Sequence, residues 1–428
     1  MVAQMKLQLE NLGPINEANI NIGKITIVGG HNASGKSTLS KFLYSFLRSN
    51  SLNREEIAIK SLSESISQLS RYISFSLRNR DKDGRARFPY YHFRETPKLD
   101  NLVEKYEELK YEFNKLDFGE DFHEKVDNRF AKIDNLINIT IENEIPLYIS
   151  IMKSLLQSEF LTSDFNCYME IENYCDDESF EFVVDFKNYG WNESEAFKAT
   201  GGFILNDVFY VDSIAILNIY DSFRYAETMS VDHLDFLTDN LVIKPKDASA
   251  AIFDDTINDD IISLEREIEN IINGKIVFKD SKFIYKSDTG SLDMINTASG
   301  IKQIGIIQVL LANRKLKDEC VLIIDEPEVN LHPDWQFKLA NILTLLSKKL
   351  DISVYINTHS PLFIEAMNTF SDYYDVSDTT TYHLAKKLDN SNRFDIIEVP
   401  EYNLSEIYDE LGKPYFDMDV LRLEKELD

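Results

Sequence analysis

The chain of 428 residues is strongly acidic, with a formal net charge of −28 at pH 7, and 43% of its residues are hydrophobic. This length allows two or three domains, or one domain with a large insertion, and the apolar fraction is ample for a core. The negative charge excludes tight non-specific binding of nucleic acid by the whole surface. No apolar run reaches the roughly 18 residues of a membrane span, and the N-terminus lacks the pattern of a signal peptide, so we expect a cytoplasmic protein that contacts no membrane.

The first stretch, residues 5–28, predicts three short strands because apolar residues alternate with polar ones and Gly13-Pro14 marks a turn. The third strand leads into Gly30-His31-Asn32-Ala33-Ser34-Gly35-Lys36-Ser37, which fits the pattern G-x-x-x-x-G-K-[ST] of a P-loop. After it, apolar residues recur at helical spacing from Leu39 to Phe46. Strand, glycine loop and helix aim backbone N–H groups and a positive helix end at one point, which suits a polyphosphate.

The residue types within this loop predict separate tasks. Lys36 is expected to reach the β- and γ-phosphates, the Ser37 hydroxyl to hold Mg²⁺, and Gly35 to leave room for the backbone to approach the phosphates. The predicted nucleotide-binding set of the loop is Gly30, Asn32, Ser34, Gly35, Lys36, Ser37 and Thr38.

The middle of the chain is predicted to be mainly helical. Residues 39–78 and Leu99 to about Leu161 have helical spacing, and further helices are expected at Asp232–Asn240 and Ile261–Ile272. Alternating or short apolar runs predict strands, two pairs of which form hairpins. These strands are 165–171 with 180–186, 208–211, and 275–278 with 282–285.

A loop-like and locally basic stretch at 78–98 interleaves arginine and lysine with aromatic residues. Arginine among aromatics can bind DNA or RNA, and it can also form a solvated loop or a subunit contact. The basic and aromatic members are Arg78, Arg80, Lys82, Arg85, Arg87, Phe88, Tyr90, Tyr91, Phe93, Arg94 and Lys98.

The three cysteines lack the spacing of a metal site. Cys320 opens an apolar strand and is expected in the core, whereas Cys167 and Cys175 could meet across a hairpin. Reduced thiols are the expected state in a cytosolic protein.

Two further strands end in residues suited to phosphate chemistry. The strand Cys320–Ile324 runs into Asp325-Glu326-Pro327. Asp325 is expected to ligate Mg²⁺, directly or through water, and Glu326 to polarise the attacking water as a general base. The strand beginning at Val354 runs into Asn357-Thr358-His359. At the end of this strand, His359 is placed to hydrogen-bond a γ-phosphate or to position the lytic water.

Small residues at 297–303 precede a helix predicted from Ile304 to about Ala312. A helix N-terminus suits an anion, but a chain that already holds a P-loop needs no second cradle for the same phosphates. We therefore expect Ser299 and Gly300 to close on the nucleotide of a partner subunit. The alternative is that Ser299 is an ordinary N-cap.

Taken together, these stretches resemble the ABC-type ATPase superfamily. The P-loop resembles Walker A, with Ala33 where a glycine is commoner, and Ser299-Gly300 with Gln303 resembles a shortened signature motif. Residues 323–327 resemble Walker B with its catalytic glutamate, and His359 stands at the switch histidine. Glu328-Val329-Asn330-Leu331-His332-Pro333 stands at the D-loop position. The stretch 326–333, with Asn357-Thr358-His359-Ser360-Pro361 downstream, is similar to the soluble OLD-like and RecF-like branch, which includes many bacterial phage-defence ATPases.

The resemblance implies an α/β fold, namely an ABC-type P-loop NTPase head with a RecA-like core, an antiparallel β subdomain and a mainly helical insertion. Residues 1–60 and 273–400 would form the head, and 61–272 the insertion with a β-hairpin. Residues 401–428 would be an acidic tail, helical from Pro414. No Q-loop glutamine can be assigned, and the sequence has no long coiled coil or Cys-x-x-Cys hook of an SMC-like or break-repair protein.

The resemblance also implies ATP and Mg²⁺ as ligands and a head-to-tail homodimer, or a higher oligomer, with ATP at its interface. The favoured function is an ATPase, with fast or slow turnover left open, that serves as the sensor or scaffold subunit of a prokaryotic anti-phage system, with a nuclease or toxin as a separate effector chain. The alternatives are a DNA-repair or DNA-maintenance ATPase that clamps DNA, and an ATP-gated scaffold with little turnover. The implied site residues are Lys36, Glu326 and His359 for catalysis, Ser37 and Asp325 for Mg²⁺, and Ser299 and Gly300 from the facing subunit.

Overall fold

The computed structural model describes residues 5–51, 54–80, 88–89, 91, 98–116, 119–142, 144–161, 165–175, 178–189, 196–200, 205, 207–212, 217, 231–242, 259–280 and 282–427. The chain divides into two compact units, a larger one of Met1–Ser51 with Ser154–Asp428 and a smaller one of Leu52–Lys153. Across the described ranges, no helix combines the length and the apolar character needed to span a bilayer.

The larger unit is built on an extended mixed sheet. A second, small antiparallel sheet consists of β8, β9 and β10, which lie between β7 and β11 in the sequence. The order in the main sheet is β6-β5-β4-β1-β2-β14-β13-β3-β12-β11-β7. The strands are β1 (Met5–Leu12), β2 (Ile15–Ile22), β3 (Ile25–Gly30), β4 (Tyr168–Cys175), β5 (Glu178–Asp185), β6 (Phe197–Thr200), β7 (Asp207–Val211), β8 (Lys275–Lys279), β9 (Lys282–Ser287), β10 (Gly290–Asp293), β11 (Cys320–Asp325), β12 (Ser353–Thr358), β13 (Thr380–Lys387) and β14 (Phe394–Glu398).

One half of the main sheet is parallel and the other is mainly antiparallel. β13, β3, β12, β11 and β7 run parallel to one another, whereas β1 pairs antiparallel with both β2 and β4. Every residue of β3, β11 and β12 is buried, because strands in the middle of a parallel sheet are covered on both faces. The predicted α/β fold, with a parallel core and an antiparallel part, is confirmed.

The helices of the larger unit pack with the parallel strands around one hydrophobic core. Its central members include Ile27, Ile304, Leu322, Leu343 and Ile364, all fully buried or nearly so. The helices are α1 (Lys36–Ser51), α2 (Arg54–Arg80), α3 (Leu99–Phe113), α4 (Glu120–Glu142), α5 (Glu144–Phe160), α6 (Asp232–Leu241), α7 (Asp259–Ile272), α8 (Ser299–Ala312), α9 (Pro333–Leu350), α10 (Pro361–Tyr373) and α11 (Ser405–Leu427), of which α2, α3, α4 and the start of α5 belong to the smaller unit.

The smaller unit has a separate apolar core between α2, α3 and α4. Leu62 and Ile66 of α2 face Tyr106 and Leu109 of α3 and Phe130 of α4 within this core. Apolar residues at helical spacing account for these contacts, since they place one buried stripe on each helix.

These units differ from the predicted domain boundaries, which assigned all of 61–272 to one insertion. Residues 154–272 group with the larger unit because β4 pairs with β1 and β7 pairs with β11, so both strands extend the main sheet. The part of the predicted insertion that forms a separate unit therefore lies within residues 52–153. Strand pairing of this kind joins residues that lie far apart in sequence, and the local pattern does not reveal it.

Two helices begin earlier than predicted. α8 starts at Ser299 rather than Ile304, so Ser299 is the first helical residue and Ala298 is the N-cap. α11 starts at Ser405, and Pro414 lies inside it. The buried side chains of Ile407 and Leu411 tie this first half of α11 to the core of the larger unit.

The basic stretch at 78–98 lies mostly outside the described residues, including Arg85, Arg87 and Arg94. In the described part, Phe88 and Tyr91 pack against the core of the smaller unit. Two of its aromatic rings therefore contribute to folding.

Two cysteine thiols are buried and free, namely those of Cys167 and Cys320. Burial raises the pKa of Cys167 to about 12 and that of Cys320 to about 11. Because the thiolate is the reactive form, both thiols are inert near neutral pH. The side chain of Cys175 lies outside the described residues.

Candidate active site

The P-loop joins β3 to α1 at the carboxyl edge of the parallel strands. β3 ends at Gly30 and α1 begins at Lys36, and a 2.9 Å bond from the Leu39 N–H to the Gly35 carbonyl closes the first turn. The N-terminus of a helix of 16 residues is thus fixed beside the loop. Its unpaired N–H groups and its dipole favour an anion at this point.

Backbone geometry in the loop shows why its glycines are required. Gly35 has φ of +97°, and a Cβ atom there would lie 2.6 Å from Ile15 Cγ1. A Cβ atom on Gly30 would lie 2.7 Å from the Cβ of Ala385. Ala33 has φ of +61°, a left-handed conformation that costs an L residue about 1–2 kcal/mol. Strain held in this way is typical of ligand-binding loops.

Lys36 is folded into the loop that it serves. Its Nζ donates to the carbonyl oxygens of Gly30 at 2.7 Å and His31 at 2.8 Å, and the side chain is buried. Burial lowers the pKa of Lys36, and the carboxylates of Glu326 and, more weakly, of Asp325 and Glu328 oppose that shift. The ammonium group is thus within electrostatic reach of the acidic residues that end and follow β11.

The other predicted loop residues differ in their accessibility. Asn32 and Ser37 are exposed, so both side chains are accessible to a ligand. The hydroxyl of Ser34 is buried, 3.5 Å from Lys36 Nζ. Thr38 is half-buried beside the turn between β1 and β2, where a Cβ on Gly13 would lie 3.6 Å from Thr38 Cγ2.

Asp325 ends β11 with both carboxylate oxygens hydrogen-bonded. Oδ1 accepts from Ser40 Oγ at 2.9 Å and from Asn357 Nδ2 at 2.5 Å, and Oδ2 accepts from the Tyr210 hydroxyl at 2.8 Å. The donors come from α1, β12 and β7, so three neighbouring elements fix this carboxylate. An oriented carboxylate oxygen is the ligand type that Mg²⁺ prefers, either directly or through water.

Glu326 follows in an unusual backbone conformation, with φ of +47°. Its N–H donates to the Asn357 carbonyl at 2.8 Å, which extends the pairing of β11 with β12 by one bond. The Oε1 atom lies 3.8 Å from His359 Nδ1, and the side chain is about one-third exposed (36%). A carboxylate that is only partly covered remains accessible to water, as a general base requires.

His359 is held by Glu328. One buried oxygen of Glu328 accepts from the His359 N–H and from the Thr358 hydroxyl, both at 2.7 Å. The same oxygen lies 3.1 Å from His359 Nδ1. The Glu328 carboxylate therefore lies beside Nδ1 and leaves Nε2 for another partner.

The small-residue segment at the start of α8 has a different set of contacts. Ser299 Oγ donates to the Asn330 carbonyl at 2.7 Å, and a Cβ on Gly300 would lie 2.8 Å from the ring of Trp335. Among the described residues, no hydrogen bond or ion pair joins Ser299 or Gly300 to the P-loop. Both residues instead contact the segment that follows Glu326 and the first turn of α9.

The structure therefore brings Lys36, Asp325, Glu326 and His359 to the carboxyl ends of β3, β11 and β12, which are adjacent in the sheet. Sequence reasoning gave no role to four residues that fix this group. Two of them, Tyr210 and Asn357, stand near the ends of the buried strands β7 and β12, and this position in the sequence could have marked them as site residues. The four residues are Ser40, Tyr210, Glu328 and Asn357.

A P-loop beside a parallel strand that runs into Asp325 and Glu326 defines a P-loop NTPase domain. The family model described as "AAA ATPase domain" matches residues 5–364. The chain belongs to this family. No curated protein matches the sequence at a significant level.

Solved structures similar to this chain include three SMC head domains. The head from Thermotoga maritima has 12% identity and a TM-score of 0.39, and the match covers 94% of this chain and 100% of that one. An SMC head bound to the C-winged helix domain of ScpA has 11% identity and a TM-score of 0.43, covering 93% and 98%. A Pyrococcus furiosus head with an extended coiled coil, bound to the C-terminal domain of ScpA, has 11% identity and a TM-score of 0.39, covering 95% and 98%.

Proposed function

We propose that this protein binds and slowly hydrolyses ATP, and that hydrolysis acts as a switch. The observation that carries the proposal is the convergence of Lys36, Asp325, Glu326 and His359 at one edge of the sheet, beside a strained glycine loop. These side chains come from three separate places along the chain, and each suits one part of phosphoryl transfer.

The residues divide the chemistry as follows. The loop amides and Lys36 hold the phosphates and offset their negative charge. Glu326 accepts a proton from the attacking water, and His359 donates a hydrogen bond to the terminal phosphate through Nε2. Preorganised charge does most of the work in such a site, since no covalent intermediate is required.

The residues also fit a bound Mg²⁺. Asp325 presents a hydrogen-bonded carboxylate, and Ser37 presents an exposed hydroxyl at the second position of α1. Mg²⁺ would neutralise charge on the β- and γ-phosphates when bound. Ser37 and Asp325 are the residues that would hold it.

The proposed working form is a head-to-tail homodimer with ATP at the interface. Ser299 and Gly300 of one subunit would then complete the site on its partner. Their contacts in this chain support the idea indirectly, because Ser299 is bonded to Asn330 in the segment that also carries Glu326 and Glu328. A ligand bound at Ser299 of one subunit would thereby be linked, through the bond from Ser299 to Asn330, to the segment that carries that subunit's own Glu326 and Glu328.

The biological role that we propose is the sensor or scaffold subunit of a prokaryotic anti-phage system with a separate effector chain. The support is the resemblance of residues 326–333 and 357–361 to the OLD-like branch. The alternative of a DNA clamp requires a basic surface. Against it stand the net charge of −28 and the packing of Phe88 and Tyr91, both partly buried, against the core of the smaller unit.

The first test is ATP hydrolysis by the wild-type protein and by Glu326→Gln. The variant keeps the size of the side chain but removes the base, so hydrolysis should fall at least about 100-fold while ATP binding persists. Native mass spectrometry in ATP and Mg²⁺ should show this variant as a dimer or larger assembly. Glu406→Gln, which alters a surface glutamate paired with Lys386, is the matched control and should behave as wild type.

The same preparation, expressed with its neighbouring genes, tests the role. Co-purification of a second polypeptide with the trapped assembly supports the sensor reading. Co-purification of DNA instead, lost on neutralising Arg85, Arg87 and Arg94, supports the clamp. Full hydrolysis by Glu326→Gln would contradict the catalytic assignment.

A further inference from the structure

A buried charged cluster lies outside the nucleotide site. His233, in the first turn of α6, is almost fully buried, with Nδ1 2.6 Å from Glu159 Oε2 and Nε2 3.2 Å from Asp212 Oδ2. The side chain of Glu159 is 0% exposed and that of Asp212 is 30% exposed. A buried ionised group is costly unless it is paired, so these three side chains depend on one another for their position.

The cluster fastens the last turn of α5 to the start of α6. Glu159 Oε1 accepts from the His233 N–H at 3.0 Å, and Ser158 Oγ accepts from the Asp232 N–H at 2.8 Å. These two side chains replace the missing cap of α6, whose own N-cap, Val231, makes no side-chain bond. The positive end of α6 adds a further reason for a carboxylate to remain buried there.

From this cluster, aromatic contacts reach the proposed metal ligand. The ring of Tyr210 lies 4.5 Å from the His233 ring and 6.0 Å from the Tyr44 ring, centroid to centroid. Tyr44 is also in contact with His233, at 5.9 Å. The hydroxyl of Tyr210 then donates to Asp325 Oδ2 at 2.8 Å. Its ring is thus confined on two sides while its hydroxyl holds the carboxylate.

We propose that Tyr210 is a positioning residue for Asp325 and that the Glu159–His233–Asp212 cluster holds Tyr210 in place, so that the last turn of α5 influences metal affinity at the nucleotide site. The inference rests on the proposed function, because it concerns the same Asp325. Asp212 directly follows β7, the strand next to β11, so the cluster and the carboxylate stand at the same edge of the sheet. A displacement of Glu159 would release His233, and Tyr210 would lose the neighbour that fixes its ring.

The test measures metal binding directly. Mn²⁺ affinity in the presence of ATP is determined by electron paramagnetic resonance, and metal-free ATP affinity by a fluorescent analogue. Tyr210→Phe should weaken Mn²⁺ binding about tenfold, since it removes one hydrogen bond to a charged group. Glu159→Gln should weaken Mn²⁺ binding in the same direction, and neither variant should change metal-free ATP binding.

The double variant, Glu159→Gln with Tyr210→Phe, shows whether Glu159 affects Mn²⁺ binding through Tyr210. If Glu159 acts through Tyr210, the double variant loses no more Mn²⁺ affinity than Tyr210→Phe alone. Wild-type affinity in Glu159→Gln, or losses that multiply in the double variant, would overturn the inference. Tyr285→Phe, which removes a buried tyrosine hydroxyl bonded to the carbonyls of Ile272 and Asn273, controls for general loss of stability and should keep wild-type affinity. Failure of the wild-type protein to bind ATP at all would overturn the proposed function, and this inference with it.

Discussion

At the scale of single residues, Glu328 illustrates how a side chain with no predicted catalytic role can control the position of one that has such a role. Its Oε1 atom holds the Thr358 hydroxyl and the backbone of His359, while Oε2 is buried and finds no hydrogen-bond partner among the described residues. A carboxylate so poorly solvated stays in place only because its remaining contacts are good. Glu328 therefore acts through His359 as a positioning residue.

Glu328→Gln should lower kcat for ATP hydrolysis about tenfold or more and leave KM for ATP nearly unchanged. The amide still fills the space, but it no longer offers a charge to His359 Nδ1, so the ring loses its fixed orientation. Steady-state kinetics give the two constants. A rise in KM without a fall in kcat would show that Glu328 supports binding instead. Glu365→Gln, which loses a surface partner of Tyr408, provides the control.

Gly35→Ala should destabilise the fold by about 2–3 kcal/mol and abolish ATP binding. The added methyl group meets Ile15 Cγ1 at 2.6 Å in a backbone conformation that alanine rarely adopts. Thermal unfolding and nucleotide titration measure the two effects. Gly412→Ala is the matched control, because α11 has open space at that position and the change should raise stability by up to about 1 kcal/mol. An intact nucleotide affinity in Gly35→Ala would contradict the proposal that this loop binds the phosphates of ATP.

At the scale of elements, the joint between α5 and α6 should show a distinctive dependence on pH. Burial opposes the charged form of His233, but the nearby carboxylates of Asp212 and Glu159 outweigh burial and raise its pKa to about 9. A raised pKa means that the folded state binds the proton more tightly than the unfolded state does. The stabilisation is therefore complete below the ordinary pKa of about 6.5 and is lost as pH rises through 9.

Chemical denaturation of wild type and His233→Gln at several pH values measures how much protonated His233 adds to the free energy of unfolding. The stability advantage of the wild type should be largest near pH 6 and should shrink by about 3 kcal/mol by pH 10. Stability curves that stay parallel across this range would show that the cluster does not hold a protonated histidine.

The elements near the P-loop could be predicted from sequence, and those of the 154–272 region could be predicted only as isolated strands and helices. β3, β11 and β12 are runs of apolar residues that end in Gly, Asp and Thr, so both their burial and their polar ends are visible locally. β4 and β7 were expected as strands, but their partners β1 and β11 lie more than a hundred residues away. Tyr210 was missed for the same reason, because its bond to Asp325 depends on that pairing.

At the scale of the whole molecule, the central question is whether one chain holds a complete site. The P-loop, Asp325, Glu326 and His359 lie on adjacent strands of the larger unit. Ser299 and Gly300 are bonded and packed elsewhere in that unit. A site completed by a second copy accounts for a signature-like segment that, within the described part of the chain, has no hydrogen bond or ion pair to its own P-loop.

Mixing two inactive variants distinguishes completion by a second copy from a role within one chain. Lys36→Ala removes the P-loop cation, and Ser299→Arg blocks the start of α8, so each homodimer should be inactive. In a symmetric head-to-tail dimer, a mixed pair contains one site with both defects and one site with neither, so random mixing should restore about a quarter of wild-type hydrolysis. If Ser299 served the site of its own subunit, every site in the mixture would carry one defect and hydrolysis would stay absent. Native mass spectrometry of the mixture shows whether subunits exchange, because the mixed dimer has a mass between those of the two homodimers.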